Sequence, residues 1–321
     1  MFVLLYIGLN KTIAMKRSGW IPLLAFIVTV TVTVISCKTR FATTTSDFKA
    51  GRSQAEIERG RVLVYSICAG CHYNRQTGKF IGNRIEDVPA IAGEVYAANL
   101  THSKTNGIPG KYTDAQLKYL LKTGVAYDGR FIQYMLRPNM AESDLNAIVA
   151  FLRSDDPALA AADTTVGPTH YTAMGKMYMN AHAKPLLPYK TIASRPGEND
   201  PVALGRYLVD NLGCYHCHSK SLTSIDYFNP EQSAGYLAGG IKLKGEHGGE
   251  VTAPNITPDK NTGIGLYTRE QFIKAIKEGE GPQMKLMPPM PQFKLLSDAE
   301  AGAIYAYLQT VPPANHTVEM K

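Results

Sequence analysis

Apolar residues along this chain recur mainly at helical spacing, and strand-like alternation is scarce. Ala303, Ile304, Tyr307 and Leu308 fall at i, i+1, i+4 and i+5, which makes one apolar stripe on a helix. Four runs open on a capping box: Ser53-x-x-Glu56, Thr113-x-x-Gln116, Thr268-x-x-Gln271 and Ser297-x-x-Glu300. Asp200-Pro201 sets an N-cap before a proline at the first helical position. Ile241–Val251, with Gly245, Gly248 and Gly249, reads as a small hairpin or a loop. The pattern predicts a mainly α fold.

The same blocks occur twice, in the same order. Glu58-Arg59-Gly60-Arg61 is echoed by Leu204-Gly205-Arg206-Tyr207, and Asn99-Leu100-Thr101 by Asn255-Ile256-Thr257. Tyr112-Thr113, opening a run that ends Lys122-Thr123-Gly124, is echoed by Tyr267-Thr268 and Lys277-Glu278-Gly279. Ala147-Ile148-Val149-Ala150-Phe151-Leu152 matches Ala303-Ile304-Tyr305-Ala306-Tyr307-Leu308. Four ordered matches point to a duplicated domain. The expected units are residues 53–155 and 200–313. Between them, 156–199 contains Pro157, Pro168, Pro185, Pro188 and Pro196, which predicts a linker over the surface with one short helix near Tyr171–Ala183. Residues 314–321 read as a tail. Ser219–Val251 is longer than its counterpart in the first unit and is a candidate partner surface.

Each unit carries Cys-x-x-Cys-His: Cys68 to His72, and Cys214 to His218. This is the attachment signature of c-type haem. Cys68, Cys71, Cys214 and Cys217 would join the porphyrin vinyls, and His72 and His218 would bind iron. A redox dithiol or half of a zinc site is the competing reading of a Cys-x-x-Cys pair. A histidine follows both pairs, and they lie 146 residues apart (214 − 68), so two haems are expected.

Four of the five cysteines are thereby used; the fifth is Cys37. Residues 1–36 contain no Asp or Glu, and Lys16-Arg17 precedes an apolar run from Trp20 to Ile35. A basic start, an apolar stretch and Ser36 before Cys37 describe a secretory signal, and the bounding cysteine resembles a bacterial lipobox. The expectation is a signal peptide over 1–36, with a natural start at Met15, lipidation at Cys37 and a tether over 37–52. A retained anchor is the alternative, although sixteen apolar-run residues are short for a span of about 20. Either reading places the globular part outside the cytoplasm, on a membrane, where bacteria attach haem to thiols.

The net charge of +7 falls to +4 without residues 1–36, which hold three cations and no acids (31 − 27). The lysines are scattered, and no basic stripe with interleaved aromatics marks a nucleic-acid surface.

The sixth iron position separates an electron carrier from a catalyst. Before the last helix, the second unit has Met284, Met287 and Met290 in a proline-rich loop, and the first has Met135 and Met140. Thioether sulphur favours ferrous iron. Aligning Ala147 with Ala303 sets Met135 beside Met290, so Met135 and Met290 are the expected ligands, with Met140 and Met287 as alternatives. Core filling is the other use of such methionines. His102 and His247 are weaker distal candidates, while His216, His170, His182 and His316 read as structural or solvated.

With these motifs, and with Asn255-Ile256-Thr257-Pro258-Asp259, Thr262-Gly263-Ile264-Gly265 and the Met-Pro-Pro-Met-Pro loop before Leu296-Ser297-Asp298, the chain resembles a diheme c-type cytochrome of two tandem class I domains. It is similar there to cytochrome subunits of bacterial membrane-bound alcohol and sugar-acid dehydrogenases. The resemblance covers about residues 53–313. It implies helices wrapped around each haem, histidine/methionine ligation, no catalytic residue of its own, and electron relay from an extracytoplasmic donor to the respiratory chain. The implied partners are other redox proteins and, through the lipid, a membrane. The competing class is a diheme peroxidase of the cytochrome c type, with one open haem.

Overall fold

The computed structural model describes residues 40–318, apart from 165, 183–190, 246–248 and 283–284. The signal segment, Cys37, Met284 and His247 lie outside the described residues. All four capping boxes form as the sequence predicts. Ser53 opens α1 (Gln54–Leu63), Thr113 opens α3 (Asp114–Thr123), Thr268 opens α8 (Arg269–Glu278) and Ser297 opens α9 (Asp298–Leu308). The motif turns are α2 (Ala69–His72) and α7 (Cys214–His218), and the remaining helices are α4 (Glu142–Leu152), α5 (Ala173–His182) and α6 (Pro201–Leu212). Asp200 caps α6 by accepting from the Ala203 amide.

Two apolar cores lie within the described unit. One gathers Leu63, Val64, Cys68, Phe80, Met140, Ile148 and Phe151; the other gathers Leu204, Leu208, Val209, Tyr215, Phe293, Ile304 and Tyr307. Each is built on a pair of packed helices, α1 with α4 and α6 with α9. The pairs meet at glycine: a Cβ on Gly60 would overlap the Ala147 carbonyl oxygen, and one on Gly205 would overlap the Ala303 carbonyl oxygen. The repeated glycine is therefore a close-approach point, which no larger residue allows without backbone movement.

The chains into the two motifs differ. Gly60 to Cys68 is eight residues (68 − 60) and Gly205 to Cys214 is nine (214 − 205). In the first lobe a π-turn over Val64–Cys68 continues α1 into the motif. In the second, α6 stops at Gly213, whose φ of 78° is left-handed, and a new turn starts at Cys214. Glycine takes that conformation without a Cβ penalty.

The two antiparallel strand pairs are short. The hairpin predicted near Ile241–Val251 forms as β3 (Lys242–Lys244) and β4 (Glu250–Thr252). From the linker, β2 (His170–Tyr171) pairs back onto β1 (Gly93–Glu94), and α5 follows it. The linker therefore docks on the first lobe. Ala158 and Leu159 also enter the first core, so packing there runs past residue 155.

A partly buried arginine joins the lobes. Arg59 on α1 forks onto Asp144 of α4, with bonds of 2.9 and 2.8 Å, and also bonds Glu300 of α9. The Tyr207 hydroxyl donates to Asp144 at 2.8 Å. Asp144 and Glu300 occupy matching places, three residues before Ala147 and Ala303. Lys244 adds a surface contact, with its amide on Asp87 at 2.7 Å and its ammonium on Glu86 at 3.0 Å.

Candidate functional site

The two motif histidines are buried and oriented in the same way. His72 Nδ1 lies 2.7 Å from the Ala98 carbonyl oxygen, and His218 Nδ1 lies 2.8 Å from that of Pro254. Ala98 and Pro254 are the residues just before the repeated Asn-x-Thr blocks. In each block the asparagine Oδ1 accepts from the threonine amide, at 2.8 Å for Asn99 and 2.9 Å for Asn255. Thr101 and Thr257 then accept from the amides of Ala162 and Ala314, beyond each lobe's last helix. The repeat is thus a clamp that fixes one carbonyl and ties down the chain past the last helix. That carbonyl holds the proton on Nδ1 and leaves Nε2 as the free donor, the arrangement in which an imidazole binds a metal. Neither Nε2 bonds a protein atom among the described residues.

All four motif thiols are free of disulfide. Burial pushes the Cys68 and Cys214 thiols up to about 12 and Cys217 up to about 11, and raises Cys71 as well. A redox dithiol needs a lowered thiol pKa, so this environment opposes that reading. Among the described residues no group of three or more His, Cys, Asp or Glu could hold a metal ion. The four cysteines are therefore not gathered into one zinc site.

The two motifs face each other. Cys71 and Asp87 of the first lobe both act electrostatically on Cys217 of the second. Between the motifs stands Arg137. Its charge acts on Cys68, Cys71, Tyr215 and His216 alike. Its Nη1 donates to the carbonyls of Tyr134, at 3.1 Å, and Leu136, at 2.8 Å, while its Nε is buried without a partner. His216 is buried rather than solvated, with an orphaned Nε2, and burial lowers it to about 3.

Tyr134 is 64% exposed, yet desolvation raises its phenol, and Tyr178, Tyr171, Asp87 and Cys71 surround it. Of these neighbours, the linker supplies Tyr171 and Tyr178.

Met135 is half-buried, and Met140 is fully buried, against the same core as Cys68. In the second lobe Met290 packs on the core that holds Cys214, whereas Met287 is 58% exposed. His102 spends its Nε2 on the Leu152 carbonyl oxygen at 3.0 Å. His316 spends Nδ1 on that of Ala238 at 2.9 Å, so the tail is bonded to the second lobe. His170 lies in β2, and His182 stacks on Tyr178.

The residues present fit covalently bound haem. Each lobe offers two free thiols one helical turn apart and a buried imidazole with an open Nε2, and Tyr134 with its tyrosine neighbours stands near the first motif.

This donor set is the kind that c-type cytochromes use to hold haem. The fructose dehydrogenase cytochrome subunit of Gluconobacter japonicus is 29% identical over 308 residues, which cover 91% of this chain and 60% of that protein. The gluconate 2-dehydrogenase cytochrome c subunit of Pantoea cypripedii is 32% identical over 124 residues, 38% of this chain and 25% of that protein. The cytochrome c subunit of the quinone-dependent alcohol dehydrogenase of Gluconobacter oxydans is 35% identical over 106 residues, 32% of this chain and 20% of that protein. The chain is thus a relative of the cytochrome c subunits of fructose, gluconate and alcohol dehydrogenases, and it spans about 60% of the first relative's length. No family model matches it. A reducing HAO-like complex of Kuenenia stuttgartiensis aligns at 15% identity over 82% of this chain and 99% of that one, with a TM-score of 0.23, too low to define a shared fold.

Sequence reasoning missed Arg137 and the linker tyrosines. Arg137-Pro138 follows the methionine candidate directly, which is the one available signal. Tyr171 and Tyr178 reach the site only because β2 pairs with β1.

Proposed function

We propose that the chain is a membrane-tethered, extracytoplasmic diheme electron-transfer cytochrome. It relays electrons from a dehydrogenase subunit or respiratory donor to a further acceptor, and each lobe is one cytochrome c domain. The observation that carries this reading is the matched pair of imidazoles, each held by a carbonyl on Nδ1 with Nε2 open beside two free thiols.

Bound haem c supplies a one-electron centre. Cys68 and Cys71, with Cys214 and Cys217, would anchor the two groups, and His72 and His218 would bind iron. Ala98 and Pro254 fix both rings, so little reorganisation accompanies a change of charge. Met290 would bind iron in the second lobe and Met135 in the first, with Met287 and Met140 as the alternatives. The facing motifs make the protein a two-step wire, with Arg137 between the steps. Cys37 carries the lipid that holds the chain to the membrane. Among the described residues no helix is long and apolar enough to cross a membrane. The relatives are dehydrogenase cytochrome subunits and lend the peroxidase alternative no support.

The test is a haem count with optical spectra of the oxidised and reduced holoprotein. Two covalent haems, both low-spin with a methionine–iron charge-transfer band, are expected. One haem per chain, or a high-spin haem that readily binds carbon monoxide, would sink the reading. Cys37→Ser should move the holoprotein from the membrane to the soluble fraction; retention on the membrane removes the lipid from the proposal.

A further inference from the structure

The second lobe holds a buried carboxyl that neither haem attachment nor ligation uses. Asp210 lies on the last turn of α6, four residues before Cys214. Its Oδ1 is buried without a hydrogen-bond partner. The Tyr236 hydroxyl stands beside it. That hydroxyl lies 3.1 Å from the Tyr307 hydroxyl, which donates to Glu231 at 3.0 Å. Glu231 pairs with Arg206 at 3.1 Å, and both side chains are about half exposed, at 44% and 56%. A line of titratable and hydroxyl groups thus runs from solvent to the head of the second motif. At the matching place in the first lobe, Tyr65, Phe80 and Phe151 meet ring against ring.

Resting on the diheme reading above, we infer that Asp210 is a redox-linked proton site. When one electron enters the second haem site, the Asp210 carboxylate takes one proton from solvent through Glu231, Tyr307 and Tyr236. When the electron leaves, that proton returns by the same route. Charge balance drives the coupling: an added electron near a buried carboxylate raises the cost of the second negative charge. The groups that face Asp210 are Arg206 on its own helix, Cys214 and Tyr215 at the motif, Glu231 and Tyr236 on the long loop, and Tyr307 on α9. Only Arg206 is cationic. Burial outweighs it and pushes the Asp210 carboxyl up to about 7, within the working range of an extracytoplasmic protein.

The experiment is spectroelectrochemical titration of the holoprotein at a series of pH values, with an infrared difference spectrum between redox states. One of the two haem potentials should fall as pH rises through neutrality. Its slope should approach about 59 mV per pH unit, which is tenfold in proton activity converted at one electron. The infrared difference should show a protonated carboxylic acid appearing on reduction. Asp210→Asn keeps the shape and should remove both the slope and the band. Tyr236→Phe should leave the slope and slow proton uptake about tenfold in a stopped-flow indicator assay. A slope that persists in Asp210→Asn overturns the assignment to Asp210, and unchanged uptake in Tyr236→Phe overturns the route. Flat profiles with both haems bound overturn the inference and leave the diheme reading standing. A chain that binds no haem at Cys214 and Cys217 overturns that reading, and the inference with it.

Discussion

Tyr65 and Asp210 stand five residues past Gly60 and Gly205, the two points where paired helices touch (65 − 60, 210 − 205). Around Tyr65 the first lobe stacks Tyr73 and Phe80 at centroid distances of 5.7 and 5.2 Å, with Phe151 at 6.1 Å. Around Asp210 the second lobe sets Tyr236, Tyr307 and Glu231 in hydrogen-bonding reach of one another. Phe151 and Tyr307 hold the same place in their last helices, four residues past Ala147 and Ala303. The two lobes therefore share a frame (glycine contact, histidine clamp, capping boxes) and differ in its filling. One lobe packs a cluster of aromatic rings beside its motif, the other a polar seam. Two haems in such different surroundings would differ in potential, because burial and local dielectric are levers on iron.

Breaking the shared cation should have the largest effect. Arg59→Met leaves Asp144, whose side chain is only 3% exposed, without its guanidinium partner, while Glu300 keeps Arg195 at 3.2 Å. Removing one member of a buried charge pair costs about 3–5 kcal/mol. Denaturant unfolding followed by haem absorbance should lose that much stability and split into two transitions, one per lobe. A single unshifted transition would show that Arg59 does not join them.

Next come the glycines. Gly60→Ala and Gly205→Ala should each cost about 2–3 kcal/mol through overpacking, although alanine is the better helix former. The two costs should match within about 0.5 kcal/mol, since each methyl meets the equivalent carbonyl. Thermal melts of the two variants check this, and clearly unequal losses would break the equivalence of the frames.

Asp210→Asn sharpens the contrast in filling. The folded-state pKa of this carboxyl is raised to about 7, above its unfolded value of about 3.9. The folded state then binds more protons between those values, so stability falls as pH rises from about 4 to about 7 and stays low above. A shift of that size would correspond to about 4 kcal/mol, and partial exposure reduces the expected loss to about 2 kcal/mol. Asp210→Asn should match the wild type near pH 4 and exceed it by about 2 kcal/mol near pH 8. Denaturant midpoints at the two pH values measure it, and equal midpoint shifts at both would remove the carboxyl as the cause.

Lys244→Ala should do least. Its pair with Glu86 is about half exposed on both sides, which is worth below about 1 kcal/mol. A larger loss in melting experiments would make the hairpin, rather than Arg59, the main joint between the lobes.

Much of this was legible because the signals are local. A capping box needs only four residues, and all four formed as read. The repeated Asn-x-Thr block could be seen to recur, but its purpose could not. That depends on Ala98 meeting His72 across 26 residues and Pro254 meeting His218 across 36. Arg137 escaped for the same reason: a single arginine says nothing until two distant motifs close on it. Met135 and Met140 remained hard to rank by sequence because both fall before one helix, and both also pack on the core that holds Cys68.

The strand pairing of Gly93 with Tyr171 bears on the order of assembly. Residues 40–155 are synthesised before β2 and α5, and N-terminal units fold first as a chain emerges. Until the later segment arrives, Tyr134 lacks Tyr171 and Tyr178 as neighbours. A porphyrin bound for Cys68 and Cys71 would then meet a more open approach, and the linker would dock afterwards. Maturation of the first lobe would run as loading followed by docking, with the docking piece encoded downstream of the motif it flanks.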